Sequence, residues 1–144
     1  MGRILAIDYG QKRVGLAVAD ELRIIANSLC TVATKDIFTF LSQYMQQEKV
    51  DVIVVGLAKQ MNNKSSSAST YIEPFVKKLA ATYPAIPIHR VDERFTSKMA
   101  FQTMIDTGLP KKSRQNKALI DRISATIILQ SYMESLAYKL HYSE

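Results

Sequence analysis

Cysteine is nearly absent from this sequence: the single thiol, Cys30, has no second cysteine with which to form an internal disulfide. Tryptophan is missing, and five glycines and four prolines are too few for a low-complexity chain. A disulfide scaffold is therefore excluded, and a lone cysteine is typical of a reducing compartment. With 144 residues, 47% of them hydrophobic, the chain is long enough to bury a core unaided. We expect one folded domain over residues 1–144.

Long hydrophobic runs are also missing. No apolar stretch approaches the roughly 20 residues that a membrane helix requires. The first residues, MGRILAIDYG, do not show the basic region, apolar run and cleavage site of a signal peptide in series. We therefore expect a cytoplasmic protein that does not contact the membrane.

Acidic residues are outnumbered, because 13 Asp and Glu face 19 Lys and Arg, for a net charge of +6. In a chain of this size the excess favours a polyanionic partner such as nucleic acid, although a merely basic protein has the same balance. The basic residues concentrate in two places. These are the first turn, with Lys12 and Arg13, and a later loop, with Lys111, Lys112, Arg114 and Lys117.

Apolar runs and helical periodicities alternate along the chain. The predicted strands are residues 3–9, 12–19, 24–32, 51–57 and 86–93. The predicted helices carry apolar stripes from Ile37 to Tyr44 and from Ile72 to Tyr83, then cover residues 96–107 and 118–138, with a Ser-rich loop at 58–70. Thr70 and Glu73 have the spacing of a capping box. The order β-β-β-α-β-α-β-α-α predicts an α/β domain with a mixed five-stranded sheet and helices on both faces.

Acidic residues occupy positions where apolar ones are expected. Asp8 ends the first strand, and Asp92 and Glu93 end the last, so all three should approach the same edge of the sheet. Asp121 lies one turn before Ala125 on the apolar face of the final helix.

Carboxylates brought together in this way repel one another. Two like charges about 4 Å apart repel by roughly 4 kcal/mol at an effective dielectric constant of about 20. Such a cluster must take up protons or bind cations, and ligands that are all oxygen suit Mg²⁺ or Mn²⁺. No Cys/His spacing typical of zinc occurs. Two cations would clamp a phosphodiester, which joins an acidic centre to a basic rim in one nuclease hypothesis.

Each acid also has a local explanation that requires no metal, either a turn or an ion pair with a nearby base. Asp8 could bond the backbone around Gly10, and Asp92 or Glu93 could pair with Arg90 or Arg94. Asp121 could cap the final helix or bond Lys117 one turn back.

Four blocks, in this order and spacing, resemble the YqgF family over roughly residues 3 to 138: IDYGQKRVGLAVAD, VVGLAKQMN, VDERFTS and KALIDRISATIIL. Members of that family are described as pre-16S rRNA nucleases with a ribonuclease H-like fold, akin to Holliday junction resolvases. The resemblance implies a catalytic and metal-binding role for Asp8, Glu93 and Asp121, with Asp92 as a further candidate. It also implies processing of the 5′ end of pre-16S rRNA.

The remaining residues fit this resemblance with small departures. Ala58, Asn62, Asn63 and Phe95 differ from the usual family residues, which affects the 58–70 loop and no carboxylate. We expect Lys12, Arg13 and Arg94 to hold phosphates close to the metals, with Lys111, Lys112, Arg114 and Lys117 as a second contact to nucleic acid.

Other functions have the same sequence features. The chain could cleave branched DNA as a Holliday junction resolvase does, or bind a ribosome precursor without cleaving it. A phosphotransferase of the sugar-kinase or actin type also begins with an Asp-x-Gly hairpin, but such enzymes need two of these domains. The oligomeric state stays open between monomer and homodimer.

Overall fold

The computed structural model describes residues 2–20, 26–57, 69–92 and 123–133. The strands are β1 (Arg3–Tyr9), β2 (Arg13–Ala19), β3 (Ala26–Ala33), β4 (Val50–Leu57) and β5 (Ile88–Asp92), and the helices are α1 (Ile37–Gln47), α2 (Ser69–Thr82) and α3 (residues 123–133). Within these ranges, no helix combines the length and hydrophobicity needed to cross a membrane.

The five strands form one mixed sheet in the order β3-β2-β1-β4-β5. β1, β2 and β3 pair antiparallel because short connections join them, whereas β4 and β5 run parallel to β1 after the helical crossovers α1 and α2. The carboxyl ends of β1, β4 and β5 therefore meet at one edge, which we call the carboxyl edge.

Both faces of the sheet are covered, as the run of apolar residues in β1 predicts. Leu5 and Ile7 pack under α1 and α2, while Ile4 and Ala6 pack under α3, and all four side chains are fully buried. The alternation along β1 thus separates two cores, and it assigns Asp8 to the α3 face because Asp8 follows Ile4 and Ala6 at steps of two residues.

The core on the α3 face is built from small side chains. Ala6, Ala17 and Ala19 of the sheet and Ala125 of α3 are fully buried in it. Short side chains at these positions leave room for the helix against the sheet, and Ile128 and Leu129 of α3 belong to the same buried cluster. A larger residue at any of the alanine positions would have to displace α3.

The predicted elements are confirmed within the described residues, with small differences at their ends. The second strand begins at Arg13, the third covers Ala26–Ala33, β4 begins one residue earlier than predicted, and Ser69 and Thr70 already belong to α2. The last strand begins at Ile88 because a turn and Pro87 precede it. The helix predicted at 96–107, the loop between residues 109 and 117, and the ends of the final helix lie outside the described residues.

Candidate metal and nucleic-acid site

Asp8 is the second-last residue of β1. It is half-buried and lies at the carboxyl edge on the α3 face. The preceding residues of β1 pack alternately into the two cores. This packing fixes the path of the strand and therefore the face on which Asp8 lies. Holding a carboxylate at such a position is costly unless cations or donors compensate it. Its place near the end of β1 is the predicted one, and its role as a metal ligand stays a prediction.

Glycines occupy the sheet positions on both sides of Asp8. Gly15 of β2 pairs directly with Asp8. On the other side Ile7 pairs with Val55, so Asp8 is level with Gly56 of β4, one residue further along. These two buried neighbours place no side chain of their own beside the carboxylate, and a carboxylate oxygen is the kind of ligand that a hard divalent cation prefers.

The turn that follows Asp8 presents two basic residues at the same edge. The Gly10 amide donates to the Arg13 carbonyl at 2.9 Å, and a Cβ on Gly10 would lie 2.7 Å from that carbonyl oxygen, so the tight closure requires glycine. Thr34 anchors the turn, since its hydroxyl donates to the Gly10 carbonyl at 2.7 Å and its amide to the Lys12 carbonyl at 3.0 Å. Lys12 is exposed on this anchored turn.

Arg90 joins the carboxyl end of β4 to α2. Its guanidinium forms a bidentate pair with the Glu73 carboxylate at 2.8 Å for both bonds, and it also donates to the carbonyls of Val55 and Gly56 at 3.3 and 2.9 Å. The sequence predicts Arg90 as a local partner of Asp92 or Glu93. In the structure its guanidinium binds Glu73 of α2. The capping-box spacing likewise did not reveal that Glu73 binds Arg90.

The Arg90–Glu73 pair predicts a pH dependence of stability. The hydrogen bonds from Arg90 lower the pKa of Glu73 from its ordinary value of 4.5, against a smaller opposing effect of burial. A carboxylate with a lowered pKa stabilises the folded state above its unfolded-state pKa, and this contribution is lost as the pH falls through the folded-state value. The effect should be modest because the Glu73 side chain is 41% exposed.

We therefore expect Glu73→Gln to lower the free energy of unfolding at neutral pH and to lose this difference from wild type as the pH falls below 4.5. Urea unfolding at neutral pH and below pH 4.5 measures the free energy of unfolding of both proteins. The matched control is Glu48→Gln, whose carboxylate accepts one hydrogen bond from Arg3 at 3.2 Å and for which we expect the smaller change. A difference between Glu73→Gln and wild type that persists unchanged in acid would contradict the assignment.

Helix α3 crosses the same face as Asp8, and a ring contact indicates its direction. The Tyr132 ring, near the end of the described helix, lies 5.2 Å from the ring of His89, the second residue of β5. Ala125, seven residues earlier, is fully buried against the sheet. The helix therefore extends from His89 over the sheet rather than away from it.

Of the other predicted site residues, Arg13 and Asp92 lie within the described part of the chain. Arg13 is the half-buried first residue of β2, and the backbone of Asp92 pairs with Leu57 as the last residue of β5. Outside the described residues lie Glu93, Arg94, Lys111, Lys112, Arg114, Lys117 and Asp121. Among the residues that are described, no three His, Cys, Asp or Glu side chains form a group able to hold a metal.

A family model described as "RuvX: Holliday junction resolvase" matches residues 2–135. The chain belongs to this family. Its relatives include three proteins named "Putative pre-16S rRNA nuclease". The protein of Flavobacterium psychrophilum is 58% identical over 92% of this chain and 97% of its own length. The protein of Phocaeicola vulgatus is 58% identical over 96% of this chain and 99% of its own length. The protein of Bacteroides fragilis is 56% identical over 94% of this chain and 98% of its own length.

Solved structures with the same fold support the ribonuclease H-like architecture of this RuvX-family chain. The Fowlpox virus resolvase in complex with Holliday junction DNA has a TM-score of 0.60 at 13% identity, and the match covers 93% of this chain and 98% of that one. The RuvC protein of T. thermophilus in complex with a Holliday junction substrate has a TM-score of 0.55 at 14% identity. That match covers 94% of this chain and 96% of the RuvC chain. At these identities the likeness establishes the fold and leaves the substrate to other evidence.

Proposed function

We propose that this protein is a metal-dependent nuclease that hydrolyses phosphodiester bonds in the 5′ region of pre-16S rRNA. The observation that carries the proposal is the position of Asp8, half-buried at the carboxyl edge between two glycines and beside an anchored turn with basic residues. Ligands of open α/β sheets bind at this edge. The names of the relatives supply the RNA substrate and with it a cytoplasmic place of action.

Strand alternation supports Glu93 as the second carboxylate. Val91 of β5 packs into the α3 core, so we expect Glu93, two residues further on, to share this face with Asp8. Neighbouring strands lie about 4.8 Å apart, which puts the two backbones about 10 Å apart on either side of β4. Two carboxylates can reach towards shared cations from that separation, and Gly56 on the strand between them has no side chain to intervene.

The position of helix α3 supports Asp121 as the third carboxylate of the metal site. Eleven residues separate Asp121 from Tyr132, or about 16 Å if the helix continues. Four residues, or about 13 Å of strand, separate His89 from Glu93. The Tyr132 and His89 rings are in contact. Because the two lengths are similar, we expect residues 121 and 93 to lie near the same edge. Ala125 packs against the sheet, and we expect Asp121, four residues earlier, to share its stripe if the helix continues.

The donor set of Asp8, Glu93 and Asp121 fits Mg²⁺ or Mn²⁺, which prefer carboxylate oxygen. When bound, a pair of such cations supplies two-metal catalysis of phosphodiester hydrolysis. The protein's part is to hold the carboxylates in place through β1, β5 and α3, and to bind the flanking phosphates. For the latter we propose Lys12, Arg13 and Arg94 near the acids and Lys111, Lys112, Arg114 and Lys117 as a second contact.

Cleavage of branched DNA is the second candidate, favoured by the description of the family model as a Holliday junction resolvase. A resolvase acts on both strands of a junction and therefore requires two sites in a two-fold dimer. We favour the RNA because relatives at 56–58% identity are named for it, whereas the junction complexes share 13–14% identity with this chain.

The test is to incubate the purified protein with pre-16S rRNA and with a four-way DNA junction, each with Mn²⁺ and with excess chelator. We expect cleavage of the RNA in Mn²⁺ and none in chelator. Cleavage of the junction alone would move the assignment to the resolvase. Equal cleavage in chelator would contradict metal dependence, and salt-sensitive binding without any cleavage would favour a binding factor.

A further inference from the structure

A cleft of about 560 Å³ opens at the carboxyl edge on the face opposite Asp8. It lies between the first turns of α1 and α2, and we call it the aromatic cleft. Its rings and charges come from Tyr9, Phe38, Tyr71, Phe75, Lys35 and Lys78. The volume is within the range of pockets that bind small ligands or single groups of larger ones. Tyr9 directly follows Asp8 in β1, so the two sites lie at neighbouring residues on opposite faces of the sheet.

Aromatic rings form the inner wall of the aromatic cleft. Tyr9 stacks on Phe75 with ring centroids 4.0 Å apart and planes 12° apart. Tyr71 lies 6.1 Å from Tyr9, and Phe38 lies 5.5 Å from Phe75, both tilted. Tyr9, Phe38 and Tyr71 pack against the core of α1 and α2 but are only half-buried, so part of each ring stays exposed. Their exposed parts line the cleft and offer an aromatic surface against which a planar base can pack.

The charge of the aromatic cleft is positive. Lys35 and Lys78 are exposed at its rim, and the Lys78 ammonium lies 4.6 Å from the centre of the Phe38 ring. No carboxylate belongs to the described lining. Burial raises the pKa of Tyr9, so its phenol stays neutral and can donate or accept a hydrogen bond. Aromatic rings beside cationic side chains match the two parts of a nucleotide, the planar base and its phosphate.

We propose that the aromatic cleft binds an unpaired base, with its phosphate, from a single-stranded stretch of the nucleic acid that the protein processes. The inference rests on the proposed function for its polyanionic partner. A base within a duplex has no free face, so the cleft favours substrates that are single-stranded next to the segment held at Asp8. A strand leaving Asp8 reaches the cleft by crossing the carboxyl edge at Tyr9.

Binding of a short single-stranded RNA, measured by fluorescence anisotropy in excess chelator, tests the proposal without any cleavage. Two variants remove a ring or a charge from the cleft, and each has a matched control on the same helix. Phe38→Leu is compared with Phe40→Leu, because Phe40 stacks on Tyr44 of α1 instead. Lys78→Gln is compared with Lys77→Gln, because Lys77 is equally exposed but does not line the cleft.

We expect Phe38→Leu and Lys78→Gln each to weaken binding by about 5- to 10-fold, and each control to change it by less than about 2-fold. Duplex RNA should show no difference between Phe38→Leu and Phe40→Leu. Equal affinities for single-stranded RNA across cleft variants and controls, with the folded state verified by circular dichroism, would overturn the proposal. The outcome is independent of the nuclease assignment, since chelator prevents metal-dependent cleavage and Asp8 is unchanged in every variant.

Discussion

Asp8→Asn is expected to lower the rate of RNA cleavage by about a hundredfold or more, equivalent to about 2.7 kcal/mol of transition-state stabilisation. Asparagine has nearly the size of aspartate, so β1 and its pairing with β2 and β4 should persist. What is lost is a negative charge that would hold a divalent cation and compensate its positive charge. The position between Gly15 and Gly56 leaves no neighbouring side chain on those strands to replace it.

The matched control for this variant is Asp51→Asn. Asp51 is half-buried near the amino end of β4, at the opposite edge of the sheet, where its carboxylate accepts a hydrogen bond from the Gly2 amide at 2.7 Å. An asparagine carbonyl oxygen can accept the same bond, so the control changes the charge of the sheet without touching the carboxyl edge. We expect it to keep full activity. Comparable cleavage by Asp8→Asn and Asp51→Asn would assign the activity to a contaminant or to other residues.

Ala6→Leu is expected to separate activity from stability. Ala6 is fully buried on the α3 face, two residues before Asp8. Three additional carbon atoms there must displace α3 from the sheet, at a cost of about 1–3 kcal/mol in the free energy of unfolding. If Asp121 depends on α3 for its position, the shift also separates the carboxylates. A displacement of about 1 Å can cost up to about 10²-fold in rate, and we expect a loss of tenfold or more per folded molecule.

Leu79→Ala provides the comparison, because Leu79 is fully buried in the core under α1 and α2. We expect it to lose about 2–5 kcal/mol of stability, at least as much as Ala6→Leu, and to retain its activity per folded molecule below the unfolding transition. Urea unfolding gives the stabilities, and cleavage at low temperature gives the rates. If activity follows stability in both variants alike, α3 has no special role in positioning the site.

Much of the fold could be predicted because the sheet is buried on both faces. The continuous apolar runs of β1 and β4 identify the central strands, and the change of period at Ile37 identifies α1. Strand ends were less well predicted, since they depend on turn geometry. Pro87 and the turn before it delay β5 to Ile88, and the turn anchored by Thr34 delays β2 to Arg13.

The site was predictable where one residue contradicts its own pattern, as Asp8 does at the end of an apolar run. The Arg90–Glu73 pair was not, because its partners lie 17 residues apart and join two elements whose packing no local spacing reveals. The aromatic cleft was missed for a related reason. Phe75 belongs to an apolar stripe that indicates core packing, and only the tertiary structure brings Tyr9, Phe38 and Tyr71 around it.

The convergence of acidic side chains on divalent cations is tested most directly by calorimetric titration of Mn²⁺ into wild type, Asp8→Asn, Glu93→Gln, Asp121→Asn and the control Asp51→Asn. Removing a carboxylate ligand should weaken metal binding by about tenfold or more in each of the three site variants, while the control binds as wild type does. Equal Mn²⁺ affinity in all five proteins would contradict a shared metal site at the carboxyl edge.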